Sequence, residues 1–191
     1  LSETGDIVCR IQAEYTLITT GSRPRHPIDV PQEQTLFMDS DQILAMERLP
    51  DTLIVLGGGI IGCEYATMLA ALGIGVILVD RRDEILRMVD EEIGGRLIRH
   101  IQEMGVELKL GQDIQELGVS EDGRSQVVFK SGESIEADCC FYSMGRVANV
   151  EGLNLEGSGI ELDKVGNIPV NALFQTSCPH IYAAGDVIGP P

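Results

Sequence analysis

The run Leu53-Ile54-Val55-Leu56, followed by Gly57-Gly58-Gly59-Ile60-Ile61-Gly62, constrains this chain more than any other stretch. An apolar segment of strand type enters a G-x-G-x-x-G turn, and Cys63 to Leu72 continues with helical spacing. A second strand-like run, Val76 to Val79, ends in Asp80, eighteen residues after Gly62. Strand, glycine turn, helix and a second strand closed by an acid predict a βαβ unit built to hold a dinucleotide. Gly57 permits the tight turn, Gly59 lets backbone approach a pyrophosphate, and Gly62 lets the helix lie close on the strand. The helix start offers unpaired N–H groups and a partial positive charge to phosphate oxygens. Leu56, Gly57, Gly58, Gly59, Ile60, Ile61, Gly62 and Cys63 are therefore expected to wrap the pyrophosphate, mostly through backbone N–H groups. Asp80 is expected to accept hydrogen bonds from an adenosine ribose.

Asp80-Arg81-Arg82 bears on which dinucleotide binds. A carboxylate here suits NAD, because it accepts from both ribose hydroxyls, at roughly 1.5–3 kcal/mol for a charged hydrogen bond. The same carboxylate repels the 2′-phosphate of NADP, since unit charges about 4 Å apart interact by roughly 4 kcal/mol at an effective dielectric of about 20. One arginine offsets that repulsion and two reverse it. Arg81 and Arg82 read equally well as a solvated loop, so a site for both NAD and NADP stands beside a plain NAD site.

Composition narrows the function classes. With 43% hydrophobic residues and 22 glycines in 191 residues, this is an ordinary globular α/β chain. A net charge of −16 with 14 Lys plus Arg argues against a nucleic-acid partner and disfavours an anionic membrane surface. No apolar stretch reaches the roughly 18 residues of a membrane-spanning helix. Cys9, Cys63, Cys139, Cys140 and Cys178 form no C-x-x-C pair and no zinc spacing. Cys139 and Cys140 sit in a strand-like run and read as small buried residues. A reduced, cytoplasmic protein without a metal site is expected. No signal-peptide pattern is visible and there is no initiator Met, so Leu1 is not taken as the natural start. His26, His100 and His180 are scattered, and no nucleophile–base set is visible.

Along the chain, Ile7 to Ile18 reads as a strand running into Gly21-Ser22-Arg23-Pro24, and residues 26–34 as a Pro-limited linker. Asp39 to Asp41 looks like a helix N-cap, with Ile43, Leu44 and Met46 in a short helix. A longer helix is predicted from about Glu91 to Met104, capped by Asp90, with Ile93, Leu97, Ile98, Ile101 and Met104 on one face. Val106 to Leu110 is a third strand. Asp113–Val119, Gln126–Lys130 and Ser134–Ala137 form a β-meander, and Cys139 to Ser143 returns as a buried strand ending at Met144-Gly145-Arg146. The meander thus replaces a helix as the crossover between two parallel strands. Beyond Asn149 the chain is glycine-rich; Gly166 to Val170 is a candidate strand, and Ile181 to Ala184 is another, ending in Gly185-Asp186. The predicted fold class is α/β, a Rossmann-like three-layer nucleotide-binding domain with a β-meander crossover.

Thr20-Gly21-Ser22-Arg23-Pro24, Gly57 to Glu64, Gly145-Arg146 with Asn149, and Thr176 with Ile181-Tyr182-Ala183-Ala184-Gly185-Asp186 together resemble the pyridine nucleotide–disulfide oxidoreductase family of flavoproteins. The resemblance covers essentially the whole chain. It implies FAD beside the nicotinamide dinucleotide, with Asp186 on the ribityl chain of FAD and with Gly21 and Gly185 among the cofactor-binding positions. It implies that Glu64 points toward nicotinamide and flavin. Read from the residue alone, Glu64 is a first-turn carboxylate favoured by the helix dipole by about 0.3–1 kcal/mol. Gly145 would let bare backbone approach the nicotinamide side. Ile114 would cover the adenine, a plain meander core residue being the other reading. Arg146 is read as a structural ion pair.

Within the family, Gly21 to Val30, Asp39 to Asp41 and Gly62 to Ala66 look most like members that pass hydride between NADPH and NAD⁺ through FAD. Disulfide reductases of the dihydrolipoamide dehydrogenase type are the nearest alternative, and a non-catalytic nucleotide-binding module is the alternative of another class. On this resemblance residues 1–48 are a segment of a split FAD domain with a linker, 49–150 the NAD(P)-binding domain, and 151–191 the return to the FAD domain. The chain would be the middle of a longer homo-oligomeric enzyme, inactive alone and monomeric or weakly dimeric. Hydride chemistry belongs to the cofactors, so no catalytic side chain is expected.

Overall fold

The computed structural model describes residues 9–26, 29–31 and 36–189. Ile7 and Val8 of the first expected strand, and parts of the expected linker, lie outside them. The chain divides into two compact units, residues 24–145 and a second formed by the segments on either side, up to Arg23 and from Arg146 onward. Strand β1 (Thr16–Ile18) comes first in the chain, followed by β2 (Ser22–Pro24).

The larger unit is built on a five-stranded parallel sheet. In chain order it contains β3 (Phe37–Met38), β4 (Thr52–Leu56), helix α1 (Ile60–Ala71), β5 (Gly75–Val79), helix α2 (Glu91–Glu103) and β6 (Glu107–Lys109). A meander of β7 (Ile114–Val119), β8 (Ser125–Phe129) and β9 (Ser134–Ala137) leads to β10 (Cys139–Tyr142). The sheet order is β3-β10-β4-β5-β6. Leu53 and Val55 pack toward the helices, with Cys63, Ala66 and Ile101, whereas Ile54 and Leu56 pack toward Leu117, Val127 and Phe129 of the meander. Burial on both faces explains the unbroken apolar run of β4. Helices, sheet and meander are the three layers of the predicted α/β class. Cys139 and Cys140 are both buried but face opposite layers, as successive strand residues must.

From β4 the chain winds through β5 to β6, then crosses back over the meander to β10 on the other side of β4. The C-terminal end of β4 is thus the point where winding reverses, the place where open α/β sheets leave a crevice.

Several local expectations are corrected. Asp39 Oδ1 accepts from the N–H groups of Asp41 and Gln42, at 2.8 and 2.9 Å, but a single 3-10 turn follows (Ile43–Ala45), because Met46 is already extended at ψ 122°. Helix α2 is capped by the Asp90 carboxylate, which accepts from Glu92 N–H at 3.0 Å. Its inward stripe is Leu97, Ile98 and Ile101, leaving Ile93 in the first turn exposed.

In the smaller unit β11 (Arg146–Ala148) pairs with β2, and β12 (Ile181–Ala183) runs parallel to β1. Ile160, Ile168, Ala183 and Val187 form its core. Gly166 to Val170 is not a strand. The Asp163 carboxylate accepts from the N–H groups of Val165 and Asn167, both at 2.9 Å, and rolls this segment into a turn instead. Among the described residues, no helix is long and apolar enough to cross a membrane.

Candidate functional site

After Leu56 the chain must turn within three residues to enter α1. Gly57 does so at φ 109°, and a Cβ there would lie 2.7 Å from the Ser143 carbonyl oxygen. A Cβ on Gly62 would fall 1.8 Å from the Gly57 carbonyl oxygen, and one on Gly58 would meet Ile85 Cγ2 at 2.6 Å. Gly59 is different. Its φ of −81° suits any residue, and a Cβ there would meet nothing within 4 Å. Neither strain nor packing inside the chain asks for glycine at this position. A ligand brought against the backbone before the first turn of α1 would. That turn has no side-chain cap and no acid, so its N–H groups remain available to phosphate oxygens. The arrangement fits a dinucleotide pyrophosphate.

Asp80 follows β5 directly and is buried. Its Oδ2 accepts from Gly58 N–H at 2.6 Å and from Arg82 Nη2 at 2.9 Å. Its Oδ1 accepts from the Arg82 backbone N–H at 2.8 Å and from Arg82 Nε at 2.9 Å. Burial pushes the carboxyl upward, but the hydrogen bonds from the side chain and backbone of Arg82 and from Gly58 outweigh it and hold Asp80 below the usual range. Asp80 is therefore engaged within the protein, its charge balanced by a two-point guanidinium contact. Arg82 can fold back because its own N–H caps the same carboxylate two residues earlier. Arg81 remains exposed. The two arginines thus differ in environment, one folded onto Asp80 and the other exposed at the cleft.

A cleft of about 720 Å³, within the size range of small-molecule sites, lies over the ends of β4, β5 and β10. It gathers Gly57, Gly59, Ile60, Ile61, Asp80, Arg81, Arg82, Ile114 and Gly145. Leu56, Gly58, Gly62 and Cys63 shape the turn without lining the cleft. The Leu56 carbonyl accepts from Ser143 N–H at 2.8 Å and Ser143 Oγ at 3.0 Å. Burial, and then the Asp80 charge, push the Cys63 thiol up to about 11, opposing the helix N-terminus that would otherwise activate it. Glu64 is exposed, does not line the cleft and sits one turn into α1, because the helix begins at Ile60. Ile114 both lines the cleft and packs on the meander-side core, which joins its two readings.

Arg25, Met88, Asp113, Ser143 and Met144 also line the cleft and were not foreseen. Arg25 is brought in by its N–H, which donates to the Gly145 carbonyl at 2.9 Å. No local motif marks it. Its one signal is a cation held in the stiff stretch Pro24-Arg25-His26-Pro27.

The smaller unit has its own cavity of about 510 Å³, lined among others by Ser22, Arg146, Asn167, Gly185 and Asp186. Ser22 Oγ donates to Asp186 Oδ2 at 2.7 Å, and Arg146 Nε donates to Ser22 Oγ at 2.8 Å. Arg146 Nη2 also donates to the Ser22 carbonyl at 2.8 Å. This relay holds Asp186 at the cavity wall, a setting that fits a hydroxyl-bearing ligand such as a ribityl chain. Gly21 does not line the cavity; its carbonyl accepts from Asn149 N–H at 2.9 Å. Ser22 was missed because its partner Asp186 is distant in sequence. Among the described residues no cluster of His, Cys, Asp and Glu could hold a metal.

The sequence model of the family described as pyridine nucleotide-disulphide oxidoreductase matches residues 4–191. The chain is 39% identical over 181 residues to proteins named soluble pyridine nucleotide transhydrogenase from Yersinia pestis and Yersinia pseudotuberculosis, covering 95% of this chain and 39% of theirs. The chain thus spans about two fifths of the length of the curated relatives it matches. Among solved structures it is similar to the HOCl-induced flavoprotein disulfide reductase RclA from Escherichia coli, with TM-score 0.89 and 27% identity over 95% of this chain and 41% of that one. LpdA from Mycobacterium tuberculosis matches with TM-score 0.83 and 31% identity over 93% of this chain and 38% of that one. With the glycine turn, the crossover sheet and the family match over nearly its full length, the chain belongs to the pyridine nucleotide-disulphide oxidoreductase family.

Proposed function

We propose that this chain is the nicotinamide-nucleotide-binding part of a flavin-dependent oxidoreductase that passes hydride between NADPH and NAD⁺ through FAD. The observation that carries the nucleotide reading is Gly59, a glycine that nothing in the protein requires, open to the cleft at the start of α1. Bound nicotinamide and flavin would supply the hydride transfer. The residues of the chain bind and orient. The glycine turn holds a pyrophosphate, Arg82 masks the Asp80 charge, and Arg81 is available to a 2′-phosphate. Masking with one exposed arginine left over supports a cleft that takes both NAD and NADP, as a transhydrogenase needs. Asp186, held by Ser22, supports an FAD contact, with residues 1–48 and 151–191 as segments of an FAD domain around the nucleotide domain at 49–150. The names of the transhydrogenase relatives support the same reaction.

The likeness to RclA, which is named a disulfide reductase, favours a second reading, a reductase of the dihydrolipoamide dehydrogenase type. That reading requires a redox cysteine pair near the flavin; Cys139 and Cys140, buried on opposite faces, are not that pair, and nucleotide preference is what separates the two readings.

Calorimetric titration with NADH and, separately, NADPH tests the proposal. Comparable affinity for both, with NADPH binding lost in Arg81→Ala, is the expected result. Binding of NADH alone would shift the reading to the disulfide reductase, and binding of neither would remove the nucleotide reading.

A further inference from the structure

The acids lining the cleft are engaged, Asp80 by Arg82 and Asp113 by Lys130 at 3.3 Å. Two of its cations are not. The side chains of Arg81 on the β5 side and Arg25 on the β10 side have no hydrogen-bond or ion-pair partner among the described residues. Arg25 is nonetheless anchored. Its N–H is tied to Gly145, and the neighbouring His26 packs edge-on against Tyr142 with ring centroids 5.1 Å apart. His26 Nε2 lies 3.5 Å from both the Tyr142 hydroxyl and Asp39 Oδ2, two buried groups. A partnerless guanidinium on a pinned segment, lining a cleft in a chain of net charge −16, is placed for a ligand rather than for a surface ion pair.

Which end of the ligand it meets follows from direction. With the ribose-reading position after β5 and the pyrophosphate at α1, an extended dinucleotide carries its nicotinamide half over the end of β10. Resting on the nucleotide reading above, we propose that Arg25 faces the nicotinamide half of the bound dinucleotide and makes the cleft prefer the reduced form. The reduced ring is neutral, whereas the oxidised pyridinium carries a positive charge that an uncompensated guanidinium repels. Among the described residues, the acids of the cleft and the acid beside His26 are committed elsewhere. Asp39 is held by His26 and by the N–H groups of Asp41 and Gln42, and Asp80 and Asp113 are paired.

The test is titration of the 191-residue chain with NADH, NAD⁺ and ADP-ribose, in the natural sequence and in Arg25→Gln and Arg25→Lys. The natural chain is expected to bind NADH about tenfold more tightly than NAD⁺. In Arg25→Gln that ratio should fall several-fold, mostly by tighter NAD⁺ binding, with ADP-ribose little changed; Arg25→Lys should keep most of the preference. An equal loss for all three ligands would make Arg25 a phosphate contact and overturn the proposal. So would an Arg25→Gln chain with unchanged affinities. Failure of the natural chain to bind any of the three would instead bring down the nucleotide reading, and this inference with it.

Discussion

Arg82 closes on Asp80 through two nitrogens, Nε on Oδ1 and Nη2 on Oδ2, each at 2.9 Å. The pair converts an acid that would repel a 2′-phosphate into a neutral wall. Arg82→Ala is expected to cost about 1–3 kcal/mol of stability, because it strips a buried carboxylate of its two side-chain donors and leaves the two backbone N–H groups; the range is reduced because the Arg82 side chain is 40% exposed. The variant should lose affinity for NADPH more than for NADH. Urea unfolding and paired titrations check both, and NADPH affinity equal to that of the natural chain would end the masking role.

Acid should unfold the protein through this pair. Asp80 is held below its ordinary value in the folded state. Its contribution is therefore complete above the unfolded value of about 3.9 and drains away as pH falls through the lower folded value. Asp138 acts with the same sign, its burial outweighed by hydrogen bonds from Thr52 and by the nearby Arg124. Urea midpoints should stay nearly level in this contribution from pH 7 to 5 and drop from about pH 4 downward. Asp80→Asn should flatten part of that drop; an unaltered slope would show that Asp80 does not drive it.

The same substitution should have opposite meanings at two glycines three residues apart, Gly59 and Gly62. Gly59→Ala places a Cβ in open space and should leave stability within about 1 kcal/mol while weakening NADH binding at least several-fold. Gly62→Ala drives a Cβ into the Gly57 carbonyl and should cost several kcal/mol or prevent folding. Thermal unfolding with and without NADH separates the two. A Gly59→Ala chain that binds normally would take from the turn its pyrophosphate role.

Thiol reactivity should follow burial. Burial pushes Cys63 up to about 11 and Cys139 up to about 12, and it raises Cys140 as well. Cys9 is exposed. At pH 8 a colourless aromatic disulfide reagent should label Cys9 rapidly and reach these three only after unfolding. Fast labelling of Cys63 in the native chain, read by peptide mass mapping, would contradict its burial.

The βαβ unit and the meander crossover were legible because their signals are local. Apolar period, glycine spacing and turn residues fall within windows of a few residues, and β4, α1, β5 and β7 to β10 emerged close to their expected bounds. Strand β3 was not legible, since two residues carry no alternation. Gly166 to Val170 carried strand-like residues, but the Asp163 side chain captured the local N–H groups first. In the cleft, residue identities were readable while their partners were not. Nothing in the order Asp80-Arg81-Arg82 says which arginine turns back, and Arg25 and Ser22 gain meaning from residues more than a hundred positions away.

The hydroxyl of Ser143 donates to the Leu56 carbonyl at 3.0 Å and to the Gly57 carbonyl at 3.3 Å, across sequence separations of 87 and 86 residues. One wall of the glycine turn is thus supplied by the last strand to leave the ribosome in this unit. A chain halted after β6 would hold every residue of the fingerprint and still lack that wall. A nucleotide bound there as proposed would stabilise only molecules whose sheet has closed and give no help to those still waiting for β10.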